Sequence, residues 1–296
     1  MIAAVESVVY KRVDGCEIGL DVYPVAEGAR PAPVVVWVHG GALIVGTRRS
    51  MQPALREGLA RAGFAQVSID YRLAPETRLP GILEDVVDAF GWVRGEGARR
   101  FGLDPARVGV VGHSAGGYLT LMAGVHLRPR PRALVAFYGY GDVAAAWYSR
   151  PDPFYCAQPA VPEARARSLV GDGPLSEGAP ERFPFYLFCR QHGLWPREVV
   201  GLDPHSDGPA FDPYCPLRNV TPAFPPTLLL HGTADTDVPY AQSEEMAAAL
   251  ARAGVPHELV TIPDGPHGFD RDAGSSDDSP AGRALGKALD FLIGRV

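Results

Sequence analysis

Val108-Gly109-Val110-Val111-Gly112-His113-Ser114-Ala115-Gly116-Gly117 is the stretch whose reading decides the fold. Its β-branched run predicts a strand over Arg107–Val111, and the apolar spacing that follows predicts a helix over Ala115–Leu127. Ser114 stands at the turn between them. A serine on so sharp a turn needs small neighbours on both sides, and Gly112 and Gly116 provide them. The turn presents the hydroxyl at the carboxyl edge of a sheet and aims the first helical N–H groups at the same place. This is a G-x-S-x-G nucleophile elbow in its strand–turn–helix context.

Outward from this elbow, strand and helix patterns alternate. Val5–Lys11 and Glu17–Val22 predict an antiparallel hairpin around Val13-Asp14-Gly15. Further strands are predicted at Pro33–Val38, Phe64–Asp70, Arg132–Tyr138, Thr227–Leu230 and His257–Ile262. Helices are predicted at Gln52–Ala62, Leu83–Val93, Tyr240–Ala253 and Arg283–Ile293. The class is α/β, with a mostly parallel eight-stranded sheet covered by helices on both faces.

One segment breaks the rhythm. Between Gly141 and Pro226 the chain holds 15 of its 29 prolines and 12 of its 27 aromatic residues, with no strand pattern. A structureless loop of that length is improbable in a compact domain. Residues 142–225 are therefore expected to form a helical cap inserted after the sixth strand, with helices near Pro162–Val170, Arg182–His192 and Pro196–Val200. Residues 1–141 and 226–296 then form the core. Most of the cap's aromatics are expected to pack into a small core of its own.

A serine hydroxyl is a weak nucleophile and needs a base. In strand–turn–helix elbows of this kind the partners follow in the order Ser, Asp or Glu, His. His267 lies on the Gly/Pro-rich loop after His257–Ile262 and is the expected base. Asp235, on the loop after Thr227–Leu230, is the expected orienting acid, with Asp237 as rival. Asp264 is too near His267 along its loop. Gly41 and Ala42, following the strand Pro33–Val38, and Ala115 are the expected backbone donors to an oxyanion. His113, Trp147, Tyr148, Phe188 and Trp195 are the candidate substrate-binding residues. His39 and His231 are expected to pack or hydrogen-bond, and His192 and His205 to lie on the surface.

Composition narrows the alternatives. Lys+Arg 28 against Asp+Glu 34 leaves a net charge of −6, which disfavours nucleic acid as a partner. No apolar run is long enough to span a bilayer, and no basic n-region precedes an apolar stretch, so a cytoplasmic location is expected. The four cysteines contain no C-x-x-C pair, which disfavours zinc and suggests free thiols. No metal and no cofactor are expected.

Together, His39-Gly40-Gly41-Ala42, Gly112-His113-Ser114-Ala115-Gly116, Asp235 and His267 resemble the α/β-hydrolase fold and, within it, the esterase/lipase group related to hormone-sensitive lipase. Asp70-Tyr71-Arg72-Leu73-Ala74-Pro75-Glu76 strengthens the likeness. The resemblance implies a serine enzyme cleaving carboxylic esters of short to medium acyl chain, without cofactor, on a small-molecule ester; a homodimer is compatible with it. The chain departs from that group at Ala42, where a third glycine is usual, and at His113, where an acidic residue is usual. It also has only 38 residues before His39, so the cap is expected to come mainly from the insertion. Two other readings share the motifs: an acyltransferase or lactone-forming or lactone-opening enzyme using the same acyl-enzyme, and a non-catalytic ligand-binding homologue.

Overall fold

β1 (Glu6–Val13) and β2 (Cys16–Tyr23) pair antiparallel across a two-residue turn in which Asp14 and Gly15 both have positive φ, 49° and 78°. Such a turn matches the strands' own twist. β2 then pairs antiparallel with β4 (Ala65–Ile69). From β4 the sheet continues in parallel through β3 (Ala32–Val38), β5 (Leu103–His113), β6 (Ala133–Phe137), β7 (Thr227–Gly232) and β8 (His257–Ile262). The strand order is β1-β2-β4-β3-β5-β6-β7-β8. The computed structural model describes residues 4–25, 31–274 and 278–296.

Alternation along β3 shows how the two faces are filled. Val34, Val36 and Val38 enter one core, while Val35 and Trp37 enter the other. The first core receives α2 (Leu79–Trp92), α4 (Ala115–His126) and α10 (Ala241–Arg252). The second receives α1 (Pro53–Arg61) and α11 (Pro280–Ile293). α2 begins a turn earlier than its apolar spacing predicts, with Pro80 in its first turn. It runs on through a π-helical segment, Val93–Gly97, into α3 (Ala98–Phe101), and stops at the left-handed Gly102.

Between β6 and β7 the chain forms only helices: α5 (Ala146–Ser149), α6 (Pro153–Cys156), α7 (Glu163–Arg167), α8 (Phe183–His192) and α9 (Trp195–Val199), with 3₁₀ turns. The three predicted helices are present, the first two shortened and the third shifted by one residue, and α5 and α6 are additional. The expectation of a separate small core is corrected here. Tyr148, Tyr155, Phe185, Tyr186, Phe188, Trp195 and Phe211 belong to the same buried cluster as Val36 and Tyr118. These rings pack on one another, as in the Trp147–Tyr148–Trp195 stack, and are continuous with the core under the sheet.

Strand order places the site. β4 leaves β3 on one side and β5 lies on the other, so the order reverses at β3/β5. A crevice opens at the carboxyl ends of the strands at such a point. Val38 pairs with Gly112 there, which sets the loop His39–Ala42 beside Ser114.

Candidate active site

Ser114 joins β5 to α4 with φ 56° and ψ −123°, a conformation that L-residues rarely occupy. Its surroundings hold it there. A Cβ on Gly112 would collide with the carbonyl of Gly116, and one on Gly116 with the carbonyls of Val38 and His39. The two glycines therefore let the turn and the end of β3 close on each other. The Ser114 N–H donates to Phe137 O at 2.9 Å, tying the elbow to β6. The serine retains 9% exposure.

His267 reaches the serine from the loop after β8. Its Nε2 lies 3.0 Å from Ser114 Oγ, and its Nδ1 lies 2.8 Å from Asp235 Oδ2. Asp235 is fixed in turn, because its Oδ1 accepts the N–H groups of Asp237 and Val238, both at 2.8 Å. His231 Nε2 stands 3.2 Å from Asp235 Oδ2. Burial opposes charge on Asp235, but the hydrogen bonds from His231 and His267 hold its carboxyl well below the usual range. Burial likewise opposes charge on His267, yet the Asp235 bond and the Asp237 field outweigh it and raise its pKa above the ordinary value. Tyr138 meets the His267 ring edge-on at 4.6 Å, and its hydroxyl donates to Asp270 Oδ1 at 2.6 Å. The arrangement can accept a hydroxyl proton at Nε2 while the imidazole is held in one tautomer.

The loop after β3 is braced from below and above. Gly41 has φ 112°, and a Cβ there would strike the carbonyl of Val45. Ala42 follows in the left-handed region at φ 56° despite its Cβ. His39 stacks on Tyr71 at 4.3 Å, and the Tyr71 hydroxyl donates to His39 O at 2.8 Å. Burial lowers the His39 pKa to about 4. The Ala74 N–H donates to Leu43 O at 2.7 Å, and Trp195 Nε1 donates to Ala42 O at 3.0 Å. Thus Asp70–Glu76 is a scaffold for this loop. Asp70 holds Arg48, Arg72 holds the buried Asp85 at 2.7 Å, and Glu76 pairs with Arg182 at 2.7 Å.

Comparison with known proteins bears on the fold and on the relatives of the chain. Residues 20–130 match the BD-FAE family model, and residues 193–289 match that of the Prolyl oligopeptidase family. A structure of an alpha/beta hydrolase superfamily protein from Enterococcus faecalis superposes with a TM-score of 0.76. It is 24% identical, covering 94% of this chain and 96% of that one. The chain has the α/β-hydrolase fold. Among curated relatives, the non-reducing polyketide synthase Preu6 of Preussia isomera is 30% identical over 90% of this chain, which spans 14% of that protein's length. Esterase LipC of Mycobacterium tuberculosis is 31% identical over 81% of this chain, which spans 54% of LipC.

The other predicted site residues are placed as follows. Gly41, Ala42 and Ala115 flank Ser114 on the two loops just described. His113 lines a cavity of about 330 Å³ together with Gly40, Gly41, Tyr138 and Arg271. Burial lowers its pKa to about 3. Trp147 is half-buried and stacks on Tyr148 at 3.6 Å, and Tyr148 stacks on Trp195 at 4.0 Å. Tyr148, Phe188 and Trp195 are buried within the packed core, where Trp195 carries the hydrogen bond to Ala42. The rival Asp237 does not reach Nδ1. Its Oδ2 lies 3.5 Å from Nε2 of His267, and its Oδ1 lies 2.8 Å from Arg190. The four cysteines are free thiols. Among the described residues no cluster of His, Cys, Asp or Glu is arranged to hold a metal ion, and no helix is long and apolar enough to cross a membrane. Sequence reasoning missed Tyr138, Asp270 and Arg190. Tyr138, directly after a strand whose neighbours carry the elbow, offered a signal; Arg190, inside an aromatic-rich helix, offered none.

Proposed function

We propose that this protein is a serine hydrolase of carboxylic esters, with Ser114 as nucleophile, His267 as base and Asp235 as its orienting acid. The carrying observation is the pair of distances at His267, 3.0 Å to Ser114 Oγ and 2.8 Å to Asp235. Ser114 Oγ adds to the ester carbonyl as its proton passes to Nε2. Gly41, Ala42 and Ala115 supply the N–H groups that take the oxyanion. The tetrahedral intermediate collapses, Nε2 protonates the departing alcohol, and the acyl group stays on Ser114. Water then gives its proton to Nε2 and attacks the acyl carbonyl; the second intermediate collapses, Nε2 returns the proton to Ser114 Oγ, and the acid leaves. Residues 142–225 form the lid over this site. The acyl chain is short to medium, because Ser114 sits almost closed over; His113 and Trp147 are the predicted binding residues with surface left to offer a substrate.

The likeness to LipC supports the ester reading, and the likeness to polyketide synthases supports a second one, in which an alcohol replaces water and the acyl-enzyme yields an ester or lactone. Turnover of p-nitrophenyl acetate, its loss in Ser114→Ala, and labelling of Ser114 by a fluorophosphonate test the first reading. Product analysis with added alcohol separates the second. Full turnover by Ser114→Ala would overturn both.

A further inference from the structure

Two carboxylates lie two residues apart on the loop after β7, and they address opposite edges of one imidazole. Asp235 takes Nδ1. Asp237 faces Nε2 at 3.5 Å, the nitrogen that also faces Ser114 Oγ at 3.0 Å. Asp237 is not free to move there. Its Oδ1 is bound by the Tyr186 hydroxyl and by Arg190 Nη1 at 2.8 Å, and Arg190 also donates to the Asp237 carbonyl at 3.0 Å.

Arg190 is itself 1% exposed, an unusual position for a guanidinium. Its second nitrogen holds Asp152 at 2.6 Å. Around it lie the rings of Trp147, Tyr148, Tyr155 and Tyr186, at 4.7 to 5.8 Å. Every member of this cage comes from the inserted segment; Asp237 and His267 come from the loops after β7 and β8. A structural ion pair alone would need no second carboxylate at the reacting nitrogen of a histidine.

We propose, on the hydrolase reading above, that Asp237 is a positioning residue that sets the charge state of His267, and that Arg190 sets the strength of Asp237. With Nδ1–H donated to Asp235, a neutral ring presents a lone pair at Nε2, which the Asp237 oxygen repels. Once Nε2 holds the serine's proton, the same oxygen attracts it. Left uncompensated, Asp237 would also trap the resting imidazole as a cation and silence the base. Arg190 draws off part of that field, so the seating of α8 tunes the histidine. The other groups facing His267 are Ser114 from the elbow, Tyr138 with Asp270 behind it from β6 and the His267 loop, and Arg271, whose charge opposes protonation. His231 acts on the ring only through Asp235.

The test is the imidazole titration of His267 followed by NMR, with its signals assigned by comparison with His267→Gln. It needs no turnover. Asp237→Asn, nearly isosteric and leaving Arg190 paired with Asp152, is expected to lower the midpoint by about one unit. Arg190→Met is expected to raise it, and the double variant to match Asp237→Asn. An unchanged midpoint in Asp237→Asn overturns the inference, and that variant decides alone if Arg190→Met does not fold. An equal shift from Arg190→Met with and without Asp237 also overturns it. Failure of Ser114→Ala to abolish turnover would sink the hydrolase reading and leave the titration standing.

Discussion

Trp195 Nε1 donates a hydrogen bond of 3.0 Å to the carbonyl of Ala42. The indole comes from the inserted segment, and the carbonyl from the loop that would hold an oxyanion. Trp195→Phe leaves that buried carbonyl without a donor, which costs about 1–3 kcal/mol. The variant is expected to unfold at lower urea and to lose kcat toward p-nitrophenyl acetate with less change in KM, because the loop's N–H groups lose their aim. Unchanged kcat would dissociate the indole from the loop.

Asp235→Asn is expected to lower kcat/KM by about 10⁴. The amide cannot hold the tautomer that leaves Nε2 free, although the fold keeps its backbone bonds. Steady-state kinetics beside a thermal melt separates loss of chemistry from loss of fold.

The pH dependence follows from the raised pKa of His267. The base acts when neutral, so kcat/KM should fall as pH drops through a midpoint above the ordinary histidine value of about 6.5. The linkage to stability has the opposite direction. A raised folded-state pKa contributes stability that is complete below the unfolded value and is lost as pH rises through the folded one. Melting temperature and kcat/KM recorded across the same buffers should therefore diverge near neutrality.

Gly116→Ala places a methyl group against the carbonyls of Val38 and His39. The elbow and the end of β3 cannot both keep their places, so expression of folded protein should fall sharply and the residual protein should not label with a fluorophosphonate. Wild-type labelling would show that the two loops can separate without harm.

Glu76→Gln strands Arg182, whose guanidinium also donates to Ala74 O and Ile44 O. Breaking a buried pair from one side costs about 3–5 kcal/mol. Chemical denaturation should show that loss, and Arg182→Met combined with Glu76→Gln should recover part of it.

Much of this was legible in the residues. β-branched runs marked the strands, and a serine between two glycines marked the turn that no other local sequence would tolerate. Asp235 and Asp237 both lie between Ser114 and His267, so chain order leaves them as rivals, and the Nδ1 contact falls on Asp235. Glu84, Asp85 and Asp88 stand close together on one helix, and such charges read as a solvated or ion-paired edge with Arg72 as the candidate partner. That pair is present, but Asp85 is wholly buried. The hairpin β1–β2 lies over it and supplies Lys11 at 2.7 Å, beside Arg72. Contacts between segments 70 residues apart leave no periodic trace. The same holds for Arg190, whose partners outside its own helix are Trp147, Tyr148, Asp152, Tyr155 and Asp237.

The inserted segment is fastened to the sheet by Trp195 to Ala42, Arg182 to Glu76, and Arg190 with Tyr186 to Asp237. Swinging it aside would strand a carbonyl and two carboxylates at once. On the hydrolase reading, substrate would then reach Ser114 through the cavity lined by Gly40, Gly41, His113 and Tyr138, with the segment left in place. An oil–water surface, which speeds lipases by peeling back a mobile flap, has nothing here to peel. Rates should saturate with dissolved ester molecules and show no jump as the ester passes into droplets or micelles.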